Sequence, residues 1–407
     1  MMKFELKKVL RKTSSRIALF LLAAILIFNC WLTIGNIWWV NEQGESEYGL
    51  SSIQKVRDAQ KAWAGYLDEE HLRAVLTELK RIEATPEAQS SDYHQNDIAF
   101  GWKQGMSDIR DLLNLSFASG FRNYDYYVAE TVSEDRLSQF DENRIRLLKE
   151  WLRGNDRYSD AEKAFLIKQY EALETPMYYD YCLGWVKTCE GAMLPIAMCV
   201  LILGYIVAGF FADEFRWHTD SILFSTVHGR KKAVSTKVRA MLLLVTVVYW
   251  SVMLIHSVVL LGIIGFDGAN CPIQIDLIGW RCFYNVTNWQ QYAIVLAEGY
   301  LGILFFSLLT MWISARTRSA VFAVTVPFIL VFLPSILENL GLSWVDRILC
   351  LLPDQLILLG GRFRDFNLVS IGNRVFGSIP FDTALYLALT ALLIPMCYQE
   401  FRRKQVL

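Results

Sequence analysis

Apolar residues in this chain are grouped into long blocks that are separated by polar intervals. Six blocks are long enough to cross a membrane as helices, which takes roughly 20 mainly apolar residues for about 30 Å of hydrocarbon. They lie at residues 17–40, 189–211, 240–266, 291–313, 319–337 and 381–398. The pattern predicts an α-helical polytopic membrane protein with six transmembrane helices, embedded in a lipid bilayer.

The polar intervals predict how these helices are oriented. Lys and Arg are concentrated in residues 1–16, 212–239, 314–318 and 399–407, and are fewer or mixed with Asp in the other connections. Because basic residues favour the cytoplasmic side of a membrane, both termini are expected in the cytoplasm. Residues 1–16 are then a cytoplasmic amphipathic segment, and residues 212–239 are a cytoplasmic loop.

The interval at residues 41–188 is too long for a simple loop and predicts an extracellular, mainly helical domain with its own core. Ser159-Asp160-Ala161-Glu162 has the pattern of a capping box, which begins a helix. Asp68 is placed to cap another helix, whose apolar face is formed by Leu72, Val75, Leu76, Leu79 and Ile82.

Two further intervals fall on the outer side. Residues 267–290 are expected to form an extracellular loop. Residues 338–380 are semi-apolar, but Arg347 and Asp354 argue against another crossing. Short helices that lie in the outer interface or re-enter the membrane are expected there instead.

Composition agrees with a membrane protein, since 54% of the residues are apolar and 13 are Trp. The basic residues lie at the ends of apolar blocks rather than on one domain, so nucleic acid is not an expected partner. The chain has no GxxxxGK[ST], HExxH or GxSxG motif, and no catalytic or metal site is predicted. If this protein uses ATP, a separate chain must bind it.

Two ionisable residues fall inside apolar blocks, His256 in the third and Glu298 in the fourth. Charged groups at such depth are costly and often functional, so the two predict a polar site, as a pair or along a polar route. The alternative is that each is satisfied within the bundle or at a headgroup. Of the cysteines, Cys182 with Cys189 and Cys271 with Cys282 are candidate disulfide pairs or free thiols.

The stretch EFRWHTDSILFSTVHGRKKAVSTK, residues 214–237, separates the second and third blocks. Thr219 is placed to cap a short helix carrying Ile222 and Leu223, which Gly229 would end and cations would follow. These residues alone leave two interpretations open. The stretch is either a connector at the inner surface or a helix that docks onto another protein.

The same stretch resembles type-2 ABC exporter permeases in the order of its residues. Phe210-Phe211-Ala212-Asp213-Glu214 ends one span, a Thr-containing helix with Leu223-Phe224-Ser225-Thr226 and Gly229-Arg230 follows, and Lys237 opens the next span. Upstream, Tyr179–Trp185 is similar to the aromatic approach to the second span in a Gram-positive branch with a large outer domain. The resemblance covers residues 178–407 and leaves the outer domain out.

The resemblance implies a permease subunit in a bacterial plasma membrane, paired with a second copy or a sibling permease. ABC ATPase subunits would bind ATP and Mg²⁺, and this chain would carry no cofactor and export a hydrophobic or amphipathic peptide, drug or lipid. An alternative is an ABC-linked sensing or mechanotransmission protein that acts through its outer domain. The expected contact with the ATPase consists of Glu214, Arg216, Thr219, Ile222, Leu223, Phe224, Ser225, Thr226, Gly229 and Arg230.

Overall fold

The computed structural model describes residues 1–217, 232–337, 347–372 and 374–403. Within these residues the chain is mostly helical, and five helices are long and apolar enough to cross a membrane. They are Thr13–Gly35, Leu183–Arg216, Val234–Ile264, Asn288–Thr317 and Ser378–Glu400. This is the composition of a helical polytopic membrane protein.

The fifth predicted span corresponds to the helix Ala320–Leu337, of which the apolar stretch Ala320–Pro334 is shorter than the other five. Five of the six predicted spans therefore have the length of a crossing in the described residues. We number the six apolar helices in chain order, with Ala320–Leu337 as the fifth and Ser378–Arg403 as the sixth.

The helix boundaries differ from those of the apolar blocks. The first helix begins at Thr13 and ends at Gly35, after a separate helix at Met2–Leu10. Trp38–Val40 is not helical but pairs with Ser46–Tyr48 as an antiparallel hairpin. The second apolar helix begins at Leu183, in the polar approach to the predicted span, and consists of Leu183–Gly191 and Met193–Arg216.

The second and fourth apolar helices form the centre of the bundle. Their apolar windows are 61% and 67% buried, compared with 28% for the first and sixth helices. Gly299 of the fourth helix lies against both the second and the third, because a Cβ there would lie 2.9 Å from Ile196 Cδ1 and 2.6 Å from Tyr249 Oη. Small residues at such crossings let helix backbones approach closely within a membrane, where packing rather than the hydrophobic effect drives helix association.

The domain between the first and second apolar helices is mainly helical, as predicted for this part of the chain. Its helices are Leu50–Lys61, Glu69–Glu83, Tyr93–Lys103, Ser107–Ser116, Val128–Thr131, Phe140–Arg153 and Asp160–Glu171, with short 3-10 helices at Gln104–Met106 and Glu134–Gln139. Gly65–Tyr66 pairs with Tyr178–Tyr179 as a short antiparallel ladder, which joins an early part of the domain to its last residues.

Both predicted helix caps of this domain are confirmed. The Asp68 carboxylate accepts a hydrogen bond from the backbone N–H of His71 at 2.9 Å. Ser159 and Glu162 form a complete capping box. The apolar face after Asp68 is fully buried, with Leu72, Val75, Leu76, Leu79 and Ile82 each at most 1% exposed.

Two connections cover the domain side of the bundle. The first contains short 3-10 helices at Ile273–Ile275 and Gly279–Arg281. The second contains Pro353–Leu356, Leu359–Arg362 and a hairpin of Leu368–Ile371 with Arg374–Gly377. Leu356 and Ile357 are buried in the same cluster as the apolar helices, so this second connection packs into the bundle as well as lying on it.

Candidate functional site

The predicted ATPase contact is only partly covered by the structure. Glu214 and Arg216 end the second apolar helix, and Lys237 lies in the first turn of the third. Arg216 is exposed and lies over the ring of Trp217, with its Cζ 5.6 Å from the ring centroid. The remaining predicted contact residues lie outside the described ranges: Thr219, Ile222, Leu223, Phe224, Ser225, Thr226, Gly229 and Arg230.

A cluster of lysines and carboxylates lies where the predicted contact segment leaves the bundle. Lys237 Nζ is 2.7 Å from Glu214 Oε1 and 3.0 Å from Glu5 Oε2, and its side chain is 0% exposed. Lys8 Nζ is 2.6 Å from the same oxygen of Glu214. Lys12 pairs with Asp213 one residue earlier. We call Glu5, Lys8, Lys12, Asp213, Glu214 and Lys237 the lysine–carboxylate cluster.

The cluster joins the N-terminal helix to the ends of the second and third apolar helices. Glu5 and Lys8 lie three residues apart on one face of Met2–Leu10, which is the spacing that places side chains side by side on a helix. Asp213 and Glu214 come from the second apolar helix and Lys237 from the third. The N-terminal helix is therefore attached to both helices that border residues 218–231.

The charges in this cluster are balanced, with three lysines against three carboxylates. A buried ion pair costs desolvation energy, and removing one partner leaves the other charge uncompensated at a cost of about 3–5 kcal/mol. Glu5, Lys8, Glu214 and Lys237, which are connected through shared partners, are thus interdependent. A displacement of one helix end would disturb the pairing of the other two.

Glu214 belongs to the expected ATPase contact and has two described partners. In the structure it is 5% exposed and is paired with Lys8 and Lys237 of its own chain. The sequence spacing could not reveal this, because Lys8 is distant in the chain and meets Glu214 only after the N-terminal helix packs against the bundle.

His256 and Glu298 are both buried but are not brought together. His256 Nδ1 is 3.4 Å from Tyr292 Oη, and Tyr292 Oη is 2.7 Å from Ser257 Oγ. Glu298 Oε1 instead accepts a hydrogen bond from the Thr383 hydroxyl of the sixth helix. The predicted His–Glu pair is therefore absent among the described contacts, and the two residues belong to separate polar sites.

The surroundings of Glu298 include a charged pair that sequence reasoning missed. Arg362 Nη2 lies 2.5 Å from Asp382 Oδ2, and the two side chains are 4% and 0% exposed. Arg362 and nearby Asp354 looked like interfacial residues of the connection before the last span. Asp382 offered a signal, because it lies just inside the last apolar block, where a carboxylate needs a partner.

All eight cysteines are free thiols, so neither of the two candidate disulfides is formed. Cys182 and Cys271 belong to the buried cluster of the domain, whereas Cys189 and Cys282 belong to the cluster of the apolar helices. The members of each candidate pair are thus held in different cores. Burial raises the pKa of the Cys271 thiol to about 12, which keeps it protonated and unreactive.

Within the described ranges, no group of three or more His, Cys, Asp or Glu side chains is arranged to hold a metal ion. The chain matches no protein-family model, and a search of curated proteins found no match either. The candidate site therefore rests on its own geometry, which is a charge-balanced junction of three helix ends beside the segment at residues 218–231.

Proposed function

We propose that this chain is the membrane subunit of an ATP-driven ABC exporter in a bacterial plasma membrane. Separate ATPase subunits would bind ATP and Mg²⁺, and a second permease copy or a sibling permease would complete the complex. The observation that best supports this proposal is the lysine–carboxylate cluster. It links the two helices that border the exporter-like segment to each other and to the N-terminal helix.

The coupling step follows from this linkage. Ile222, Leu223 and Phe224 supply the apolar contact with the ATPase, and its closure pushes on the segment that contains them. Because Glu214 and Lys237 are paired at the two ends of that segment, the second and third helices move together. Transmission of motion between sites requires such rigid elements with more than one packed arrangement. The movement then changes the path between two permease halves.

Co-purification of an ATPase tests this proposal. The full chain, carrying an affinity tag, is extracted from its native membrane in a mild detergent, and co-purifying ATPases are identified by mass spectrometry. Leu223→Asp should lose the ATPase subunit because it places a charge in the apolar contact. Leu277→Asp is the matched control, since Leu277 is exposed in the loop on the domain side. Retention of the ATPase by Leu223→Asp, or its absence from wild-type preparations, contradicts the proposal.

A second candidate function is ABC-linked sensing or mechanotransmission without transport. It is favoured by the attachment of the domain to the end of the third helix. Tyr181 Oη donates to the Ile264 carbonyl at 2.8 Å, and Trp185 Nε1 donates to the Phe266 carbonyl at 3.0 Å. Movement of the third helix would therefore be passed directly to the domain.

Transport assays distinguish the two functions. In inside-out vesicles that contain the complex, an exporter accumulates a labelled amphipathic peptide when ATP is supplied. A mechanotransmission protein hydrolyses ATP in response to peptide on the domain side but accumulates none. The ATPase contact is common to both functions, so its presence alone does not decide between them.

A further inference from the structure

A cavity of about 270 Å³ lies between the domain and the connection before the sixth helix. Arg122, Arg157 and Tyr158 of the domain line one side. Asp354 and Asp365 of the connection also line it, and Pro334 of the fifth apolar helix reaches its edge. Among the described residues, the charged lining consists of two arginines and two aspartates, so the cavity presents both signs of charge to a ligand.

The domain side presents a guanidinium held by aromatic rings. Arg122 Cζ lies 4.8 Å from the centroid of Trp151 and 4.9 Å from that of Phe366. Stacking on rings occupies the faces of a guanidinium and leaves its N–H edge for hydrogen bonds. A planar, oriented arginine of this kind suits carboxylate or phosphate groups, which accept two parallel hydrogen bonds.

The opposite side presents a carboxylate with an unused acceptor. Asp354 is 1% exposed, and its Oδ2 accepts a hydrogen bond from Gln355 Nε2 at 2.9 Å. Its Oδ1 has no hydrogen-bond partner among the described residues, although the side chain lines the cavity. A buried carboxylate oxygen without a partner is costly, so an ammonium group in the cavity would satisfy it.

Two further carboxyl groups lie near Arg362 and Asp354. Asp382 and Glu298 are 0% and 4% exposed, and Arg362 is paired with Asp382. Asp382 Oδ1 and Glu298 Oε2 also lack hydrogen-bond partners in the described parts of the chain. Arg362 therefore does not satisfy all of these carboxyl groups, and Asp354 Oδ1 is left without a described cationic partner.

We propose that this cavity binds a zwitterion whose primary ammonium is held by Asp354 and whose phosphate or carboxylate is held by Arg122. The ligand comes either from the headgroup of a zwitterionic lipid or from a free zwitterion on the domain side. The site shares no residue with the lysine–carboxylate cluster, and the inference does not depend on the proposed exporter function.

Calorimetry on the full chain in detergent tests the site, with phosphoethanolamine as the probe. Ethanolamine and inorganic phosphate, each of which offers only one of the two charges, should bind about tenfold or more weakly than phosphoethanolamine. Asp354→Asn and Arg122→Gln should each weaken phosphoethanolamine binding by about tenfold or more. Glu70→Gln and Arg153→Gln change exposed charges elsewhere on the domain and should leave its affinity unchanged.

Three outcomes overturn the proposal. These are no binding of phosphoethanolamine, equal affinity for inorganic phosphate alone, and unchanged affinity in the Arg122→Gln variant. Size-exclusion chromatography and tryptophan fluorescence establish that each variant is folded. If Asp354→Asn does not fold, Arg122→Gln decides the question, because Arg122 is exposed and its loss leaves the buried charges in place.

Nanodiscs distinguish the two sources of the ligand. In discs of phosphatidylethanolamine, a lipid headgroup in the cavity would compete with soluble phosphoethanolamine. The apparent affinity for soluble phosphoethanolamine would then be lower than in discs of phosphatidylglycerol. Equal affinity in the two kinds of disc would indicate a free zwitterion instead. Both results uphold the site and differ only in where its ligand originates.

Discussion

Replacement of Lys237 by Met removes one charge from the lysine–carboxylate cluster while keeping a side chain of similar length. Lys237 is 0% exposed and its Nζ lies within 3.0 Å of two carboxylates, those of Glu5 and Glu214. In the Lys237→Met variant the cluster has two lysines against three carboxylates. Lys8 remains 2.6 Å from Glu214, but the single charge of one lysine cannot neutralise two carboxylates.

The expected cost follows from the burial of this cluster. Removing one partner of a buried ion pair destabilises a protein by about 3–5 kcal/mol, because the charge of the other partner stays buried without compensation. Lys8 and Lys12 are each 33% exposed, so water reaches part of the cluster and favours the lower end of this range. We therefore expect Lys237→Met to lower the free energy of unfolding by about 3 kcal/mol.

Equilibrium unfolding in mixed micelles with increasing dodecyl sulfate, followed by tryptophan fluorescence, measures this cost. Lys187→Met is the matched control, because the Lys187–Glu190 pair has the same chemistry but side chains 38% and 35% exposed. An exposed pair of this kind contributes about 0–1 kcal/mol. The double variant Glu214→Gln with Lys237→Met restores balance and should cost less than the sum of its single variants.

Two results would refute this reasoning about the cluster. One is a cost for Lys237→Met no larger than that for Lys187→Met. The other is strict additivity of the Glu214→Gln and Lys237→Met costs, which would mean that the two residues act independently despite their 2.7 Å contact. Either result would remove the basis for treating the ends of the second and third helices as one unit.

Three further predictions concern the domain and its junction with the bundle. Burial and nearby carboxylates raise the pKa of Asp108 to about 7. The unfolded chain releases this proton from about pH 4 upward, so the burial of Asp108 should lower wild-type stability by about 4 kcal/mol between pH 4 and 7.5, and Asp108→Asn should reduce the fall in a pH series of unfolding curves. Gly184→Ala should destabilise the protein by about 2 kcal/mol or more in thermal unfolding, since the new Cβ would lie 2.0 Å from a backbone oxygen. Gly262→Ala is the control and should be neutral, because a Cβ there would have no neighbour within 4 Å. Arg144→Met should speed proteolysis of the domain, because the buried guanidinium lies 4.6 Å from a tryptophan ring and donates to a loop carbonyl, while exposed Arg146→Met should not.

Much of the local structure could be predicted from the sequence, because it depends on residues close together in the chain. The cap at Asp68 and the capping box at Ser159 are short patterns that act on the helix they begin. The apolar blocks likewise identify the membrane helices by length. The boundaries of the helices are harder to predict from the sequence. Trp38–Val40, for example, continues an apolar block but pairs as a strand with residues that follow it.

The candidate sites were harder to predict, because their residues meet only after the helices pack. Lys8 and Glu214 form one cluster, although nothing near either residue in the sequence indicates the other. Arg362 and Asp382 lie on opposite sides of a hairpin and pair inside the bundle. His256 and Glu298 are both buried, but they contact different partners.

The most direct test of the proposed function is site-specific photo-crosslinking in intact membranes. A benzophenone amino acid replaces Phe224 in the exporter-like segment and, as the control, Trp289, which is 45% exposed at the opposite end of the bundle. The account predicts a cross-link from position 224 to an ABC-type ATPase and none from position 289. Correctly inserted protein that yields no ATPase adduct at position 224, or equal adducts at both positions, would contradict it.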